Sequence, residues 1–240
     1  MQFEQYVYPS YETPLLEAYG RRFESVYVLL HPFIRMPEEL SWRVTRQYPE
    51  DDNIFAQGAK CSWAEVAAQT GMGACARLNQ ALLTSIGALA DHLSDYAARD
   101  KIQEFLQSTS VWMPVEGRFE PLLQADFLHA FETAGHQQLI CVHELPQTRP
   151  VRPVSVAALQ AHSFPFPTCG SLVAPDESFL FTVDWDSFFT LFYGPRALVE
   201  RIVRERNLEG FFATPTTEHA WFNYSFGCAT VTLSPEHWPA

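Results

Sequence analysis

Positive charge is scarce in this sequence. Of its 240 residues, 16 are Lys or Arg and 28 are Asp or Glu, which gives a net charge of −12. Proteins that bind nucleic acids draw most of their affinity from Lys and Arg side chains that neutralise phosphates. Even the region 59–90 reaches only +1, with Lys60 and Arg77 against Glu65. We therefore expect neither nucleic acid nor an anionic membrane as a partner, and instead a basic protein partner.

Paired cysteines and long apolar runs are also missing. The five cysteines, at positions 61, 75, 141, 169 and 228, form no Cys-x-x-Cys pair, which is typical of reduced thiols in the cytosol. Residues 1–22 contain neither a basic leader region nor a continuous apolar one, so we expect no signal peptide. The apolar run Val26–Leu30 is far shorter than the roughly 20 residues that cross a bilayer as a helix. The sequence predicts a cytoplasmic protein.

Strong catalytic signatures are absent as well. The chain contains no Gly-x-Ser-x-Gly, His-Glu-x-x-His, P-loop or Rossmann fingerprint. Its histidines and cysteines lack the spacing of a zinc site, although Cys141 and His143 alternate on one predicted strand. We therefore favour a non-enzymatic protein that needs no cofactor.

What the sequence does contain is enough apolar material for a core. Hydrophobic residues make up 47% of the chain and aromatic residues 14%. We expect one domain, residues 1–240, with a soft boundary in the proline-rich stretch 146–175. The pattern predicts an α+β fold, in which a helical middle, residues 62–133, packs on strand-rich N- and C-terminal parts.

The individual elements follow from periodicity. The sequence predicts strands at Val26–Leu30 and in QQLICVHEL, and a hairpin in SFLFTVDWDSFFTLFYGP. An amphipathic helix, RALVERIVRERNL, has a Glu200–Arg204 pair at i, i+4 and is closed by Gly210. Short helices are expected at Leu15–Phe23 and Glu38–Thr45, the second followed by an acidic loop.

The stretch SWAEVAAQTGMGACARLNQALL, residues 62–83, predicts a helical hairpin that continues to residue 90. Ser62 and Glu65 form a capping box, and Gly71 makes the turn. The side chains expected to be buried are Trp63, Val66, Leu78, Leu82 and Ile86. The same spacing is close to that of a helix-turn-helix DNA-binding regulator, which remains an alternative. We prefer the core interpretation, because the second helix offers only Arg77, Asn79 and Gln80 to bases and phosphates.

A third helix is expected at 92–107, with Leu93, Tyr96 and Ala97 on its apolar face. A fourth, at 121–133, has Pro121 in its first turn.

Asp184-Trp185-Asp186 ends an apolar run and raises a second alternative. If the three residues continue a strand, the two carboxylates share a face and could hold one divalent cation. The motif resembles the Asp-x-Asp of metal-dependent glycosyltransferases and, with Gly170–Ser171 upstream, the paired acids of nucleotidyltransferases. Those resemblances imply a transferase that uses Asp184 and Asp186 with Mg²⁺ or Mn²⁺. The competing interpretation is a hairpin turn, which Asp and Ser favour.

The aromatic loop 209–227 is the candidate partner-binding segment. It contains more large rings than one face of a sheet can bury, and exposed aromatic residues dominate many interfaces. Whether the loop is exposed or packed in a core stays open at this stage. The residues expected to bind the partner are Phe211, Phe212, Glu218, His219, Trp221 and Tyr224.

Two parts of the chain resemble an uncharacterised bacterial domain-of-unknown-function family. They are SWAEVAAQTGMGACARLNQALLTSIGA and the segment from VDWDSFFTLF through LEGFFATPTTEHAWFNY. The resemblance implies no activity. The leading hypothesis is therefore an acidic binding protein, in its narrowest form an immunity-type neutraliser of a cationic bacterial toxin.

Overall fold

A computed structural model of the chain describes residues 2–144, 151–162 and 165–221. It confirms the α+β class, and its strand pairs are antiparallel. The helices are α1 Ala18–Arg21, α2 Trp42–Thr45, α3 Asp51–Gln57, α4 Trp63–Thr70, α5 Cys75–Ile86, α6 Tyr96–Ser108, α7 Gln124–Thr133, α8 Val156–Gln160 and α9 Arg196–Glu205. Short 3-10 segments span Gln2–Gln5, Leu15–Glu17, Glu38–Leu40, Asp91–Leu93 and Pro121–Leu123. The strands are β1 Ser25–Leu30, β2 Phe33–Arg35, β3 Ala59–Cys61, β4 Val111–Trp112, β5 Gln138–His143, β6 Arg152–Ser155, β7 Gly170–Val173, β8 Leu180–Val183, β9 Phe189–Gly194 and β10 Gly210–Phe212.

The described chain divides into two compact units. Within the described ranges, unit 1 comprises residues 2–31, Pro114–Leu208 and Phe212–His219, and unit 2 comprises Pro32–Met113, Glu209–Phe211 and residues 220–221. The single domain predicted from the sequence stays a prediction. Of the proposed soft boundary, residues 146–150 and 163–164 lie outside the described residues.

Unit 1 contains an antiparallel sheet in the order β1-β9-β8-β7-β5-β6. Side chains alternate across a strand, so Phe181 and Val183 of β8 face the core while Thr182 faces the other side. The core also includes Phe127 and Phe131 of α7. The rings of Phe131 and Phe179 lie 4.8 Å apart, within the range of favourable aromatic pairs. The predicted strand at Val26–Leu30, the strand in QQLICVHEL and the β8–β9 hairpin are confirmed.

Helix α9 ends earlier than expected. It stops at Glu205, and Asn207 has φ +48° just beyond it, so Gly210 is not its cap. Glu200 pairs with Arg196 rather than with the predicted Arg204, at 2.5 Å between Nε and Oε1. Arg196 and Arg204 each lie four residues from Glu200, so the i, i+4 spacing alone does not show which of them forms the ion pair.

In unit 2, α4 and α5 form the predicted helical hairpin. The Ser62 hydroxyl accepts a hydrogen bond from the Glu65 N–H at 3.0 Å, which confirms the N-cap. Gly71 ends α4 at φ +66°. Leu78 and Leu82 are fully buried.

The second helix of the hairpin is shorter than expected. Gly87 takes φ +74° and ends α5 at Ile86, so the predicted extension to residue 90 is wrong. Ile86 is only half-buried, because it occupies the last turn, and its predicted burial is also wrong.

Other helix boundaries differ from the expectation. Asp95 caps α6 by accepting from the Ala98 N–H at 2.9 Å, so the helix begins at Tyr96, which is exposed. The prediction that Leu93, Tyr96 and Ala97 form the apolar face is therefore wrong. The buried residues of α6 are Ala98 and Ile102. The expected acidic loop contains α3 instead, because Asp51 and Asp52 lie in its first turn, where negative charge stabilises a helix.

Candidate functional site

The Asp-Trp-Asp motif lies in the turn between β8 and β9. Strand β8 ends at Val183, so the expectation that both carboxylates share a strand face is wrong. Asp184 is buried, with 6% exposure, whereas Asp186 is exposed. Trp185, between them, is 57% exposed. The turn therefore presents a large aromatic ring to solvent beside two carboxylates of unlike surroundings.

The loop before α7 approaches this turn backbone to backbone. The Gly117 N–H donates to the Ser187 carbonyl at 3.0 Å. Gly117 has φ +64°, and a Cβ there would lie 2.1 Å from the Trp185 carbonyl oxygen. Only glycine allows so close an approach. The contact brings Glu116, the neighbour of Gly117, to the turn.

Carboxylates converge around Trp185. Its indole N–H donates to the Glu144 carboxylate. Partial loss of hydration, and then the negative charge of Asp186, raise the pKa of Glu116. We call Glu116, Glu144, Trp185 and Asp186 the acidic turn surface. Its negative potential suits a cationic partner.

A second cluster lies beside the turn. The Tyr11 hydroxyl donates to the Asp184 carboxylate, and the Tyr8 hydroxyl lies 2.7 Å from His219 Nδ1. The Tyr11 and His219 rings are stacked, with centroids 4.0 Å apart and planes at 11°. We call Tyr8, Tyr11, Asp184 and His219 the tyrosine–aspartate cluster. It joins two residues, Asp184 and His219, that the sequence assigned to separate candidate sites.

The electrostatics of this cluster follow from burial. Burial raises the pKa of Asp184, and the charge of Asp186 raises it further, while the Trp185 N–H partly offsets both. Burial also lowers the pKa of His219 to about 4, so its imidazole is neutral at neutral pH. Within the described ranges, no Lys or Arg forms an ion pair with Asp184. The cluster therefore holds a buried carboxylate that no described Lys or Arg accompanies.

The aromatic loop is largely packed where the structure describes it. Trp221 is buried and its ring lies 5.1 Å from that of Phe211. Phe212 packs at 4.9 Å on Tyr27, beside the core of unit 1. Glu218 is half-buried, and Tyr224 lies outside the described residues. The partner-binding role of these residues stays a prediction.

Of the three polar side chains of the helix-turn-helix alternative, two have partners within unit 2 and the third is buried. Arg77 forms an ion pair with Asp95 at 3.0 Å, and the Gln80 amide donates to the Leu93 carbonyl at 2.6 Å. Asn79 is fully buried. Because Asn79 is buried and Arg77 and Gln80 already have partners, these side chains are poorly placed to read a major groove, which favours the core interpretation.

Thiol and metal chemistry find little support in the described residues. The cysteines at 61, 75, 141 and 169 are free and buried. Burial raises the pKa of the Cys141 thiol to about 12, which leaves it protonated. No group of three His, Cys, Asp or Glu side chains in the described ranges is placed to hold a metal ion. None of the helices described is long and apolar enough to cross a bilayer.

Sequence reasoning missed Tyr8, Tyr11, Glu116 and Glu144. Tyr8 and Tyr11 precede the first strand in a proline-dotted segment without periodicity. Glu116 and Glu144 belong to loops that are distant from the turn along the chain. The only available signal was Gly117 after Glu116, since an isolated glycine can mark a close backbone approach.

Comparisons with known proteins agree with the resemblance predicted above. The chain is 25% identical over 229 residues to the uncharacterized protein YwbB of Bacillus subtilis (strain 168), and the alignment covers 90% of this chain and 98% of that protein. No solved structure matched the chain. The model of one family, described as "Protein of unknown function (DUF2711)", matches residues 11–223, and the chain belongs to that family.

Proposed function

We propose that the protein binds a basic protein partner through the acidic turn surface, and that in its narrowest form it is an immunity-type neutraliser of a cationic bacterial toxin. The observation that carries the proposal is Trp185, which is 57% exposed among carboxylates. Large exposed aromatic residues are the anchors of many interfaces, and Trp is especially common among residues that dominate binding energy.

The charge of the chain supports the same partner. Its net charge is −12, and Glu116 and Asp186 at the turn are both exposed. Such a field accelerates encounter with a cationic protein, while a desolvated aromatic contact slows dissociation. A surface of this kind also repels nucleic acids and anionic membranes. The predicted aromatic loop contributes less in this proposal, because Phe211 and Trp221 pack on each other.

The alternative is a metal-dependent nucleotidyl- or glycosyltransferase that uses Asp184 and Asp186 with Mg²⁺ or Mn²⁺. The geometry favours it less, because one carboxylate is buried and bonded to Tyr11 whereas the other faces solvent. Two carboxylates in such different surroundings are poorly arranged to coordinate the same divalent cation.

The test is a pull-down from the native host with the full-length protein as bait, read by mass spectrometry. We expect a basic protein that elutes as the salt concentration rises. Trp185→Ala and the double variant Glu116→Gln/Asp186→Asn should each reduce its capture.

The matched control is Asp100→Asn/Glu104→Gln on α6, which removes the same charge from another exposed acidic position. If the control reduced capture as much as the turn variants, binding would depend on net charge alone, and the assignment of the binding site to the acidic turn surface would be wrong. If no basic protein were retained at low salt, the proposed function itself would be refuted.

A further inference from the structure

The tyrosine–aspartate cluster has an open side. Asp184 is 6% exposed, but Tyr11, whose hydroxyl bonds to it, is 53% exposed. Tyr8 and His219 are half-buried, and Phe189 approaches the His219 ring at 5.7 Å. A ligand group that moves past the Tyr11 ring would therefore meet a carboxylate surrounded by aromatic rings.

The Asp184 carboxylate has no cationic side chain paired with it in the part of the chain that the structure describes. A buried carboxylate is expensive unless a cation or several hydrogen-bond donors accompany it. Asp184 receives hydrogen bonds from the Tyr11 hydroxyl and from the Trp185 N–H, but no described cationic side chain pairs with it. A carboxylate has about four lone-pair sites, so these two donors leave room for another.

Near the cluster, one buried polar group has no hydrogen-bond partner among the described residues. Tyr193 is buried, with 1% exposure, and no atom of the described residues forms a hydrogen bond with its hydroxyl. Tyr193 and Asp184 both lie close enough to the Tyr8 hydroxyl to raise its pKa, after the larger effect of burial. A buried hydroxyl without a partner destabilises the folded protein. The Tyr193 hydroxyl and the Asp184 carboxylate thus both act on the Tyr8 hydroxyl.

We propose that the tyrosine–aspartate cluster binds a cationic nitrogen group, an ammonium or a guanidinium, which pairs with Asp184 beside the Tyr11 ring. Aromatic faces attract cations, and the attraction grows when water is excluded. The inference rests on and deepens the proposed function where a Lys or Arg side chain of the basic partner supplies the group. A free small amine is the other source of the same chemistry.

The first arm of the test titrates the full-length protein with methylguanidinium and methylammonium chloride, with urea as the uncharged control. The readout is the NMR shift of the Trp185 backbone amide, which bonds to Asp184. We expect saturable shifts with the cations and none with urea. Asp184→Asn should weaken binding by about tenfold or more, whereas Asp100→Asn, the same change at an exposed carboxylate on α6, should keep it within about threefold.

Tyr11→Ala gives a second test that leaves the carboxylate in place. Tyr11 is exposed enough to be replaced without opening the core, and loss of its ring should weaken binding severalfold. Shifts that do not saturate, equal shifts with urea, or full binding by Asp184→Asn would each overturn the inference.

The second arm of the test distinguishes a partner side chain from a free amine as the source of the cation. It also tests the cation site and the proposed function separately. Release of the captured basic protein by methylguanidinium, at an ionic strength where NaCl does not release it, would identify a partner side chain as the cation. Capture that survives Asp184→Asn but not Glu116→Gln/Asp186→Asn would keep the proposed function and refute a partner side chain in the cluster. Saturable binding of methylammonium with no captured protein would keep the site for a free amine and refute the proposed function.

Discussion

His31 should make the protein less stable in mild acid. Its side chain is fully buried between two hydrogen-bond partners. Nδ1 lies 3.1 Å from the Val115 carbonyl, which can only accept, so Nδ1 carries the proton. Nε2 then accepts from the Thr190 hydroxyl at 2.8 Å. This arrangement satisfies the neutral imidazole completely.

The size of the effect follows from proton binding. Burial lowers the pKa of His31 from 6.5 to about 4, while the Val115 carbonyl acts weakly in the opposite direction. Because the pKa is lower in the folded state, the unfolded chain binds the extra proton, and stability falls as the pH drops from 6.5 towards 4. The contribution of this group to the free energy of unfolding should fall by about 2 kcal/mol between pH 7 and pH 5.

The assay is urea unfolding of wild type and His31→Asn at pH 7 and pH 5. The variant should be less stable at pH 7 by about 1–3 kcal/mol, because it disturbs buried hydrogen bonds. Its loss of stability between the two pH values should be smaller than that of wild type by about 2 kcal/mol.

His92→Asn is the matched control, because this imidazole is exposed. It should leave the difference between pH 7 and pH 5 as it is in wild type. The reasoning is refuted if His31→Asn shows the full wild-type pH dependence, or if NMR shows His31 titrating near pH 6.5 in the folded protein.

Three further results are expected. Leu82→Ala should lower the free energy of unfolding in urea by about 2–5 kcal/mol, since Leu82 is fully buried. Arg77→Ala should lower it by about 0.5 kcal/mol or less. Equal losses of stability would contradict the core interpretation. Glu209→Ala should lower the free energy of unfolding by about 1–3 kcal/mol, because the carboxylate accepts hydrogen bonds from the first two N–H groups of α4 at 2.7 and 3.0 Å. Glu104→Ala, the control, should leave stability nearly unchanged. Equal effects of the two variants would show that the Glu209 cap does not stabilise the protein. Millimolar Mg²⁺ or Mn²⁺ should leave the melting temperature unchanged, and a metal-induced rise that Asp184→Asn abolishes would support the transferase alternative.

Local patterns predicted the elements that local interactions determine. The Ser62 cap and the Leu78–Leu82 stripe depend on residues within one or two turns, and both are confirmed. The end of α5 was misplaced because Gly87 lies inside an apolar pattern, and only its backbone conformation shows that it ends the helix.

Sequence periodicity could not predict the candidate site, because its residues are far apart along the chain. Tyr8 and His219 are 211 residues apart, and Tyr11 and Asp184 are 173 apart. The sequence selected Asp184 and His219 for their chemistry but could not show that the tyrosines bring them into one cluster. The strand interpretation of Asp186 failed for a related reason, because Asp, Trp and Ser fit both a turn and a strand end.

The pairing of β1 with β9 has a consequence for synthesis of the chain. Ser25 bonds to Gly194 across 169 residues, and all six residues of β1 are buried in the finished sheet. At about 5–20 residues per second, a ribosome needs roughly 10–30 s to deliver the partner strand after β1 emerges. During that interval, β1 is an apolar segment with unpaired backbone groups, which is the kind of surface that aggregates or recruits chaperones. The β7–β8–β9 meander pairs locally and can form first, so β1 would join a sheet edge that is already in place.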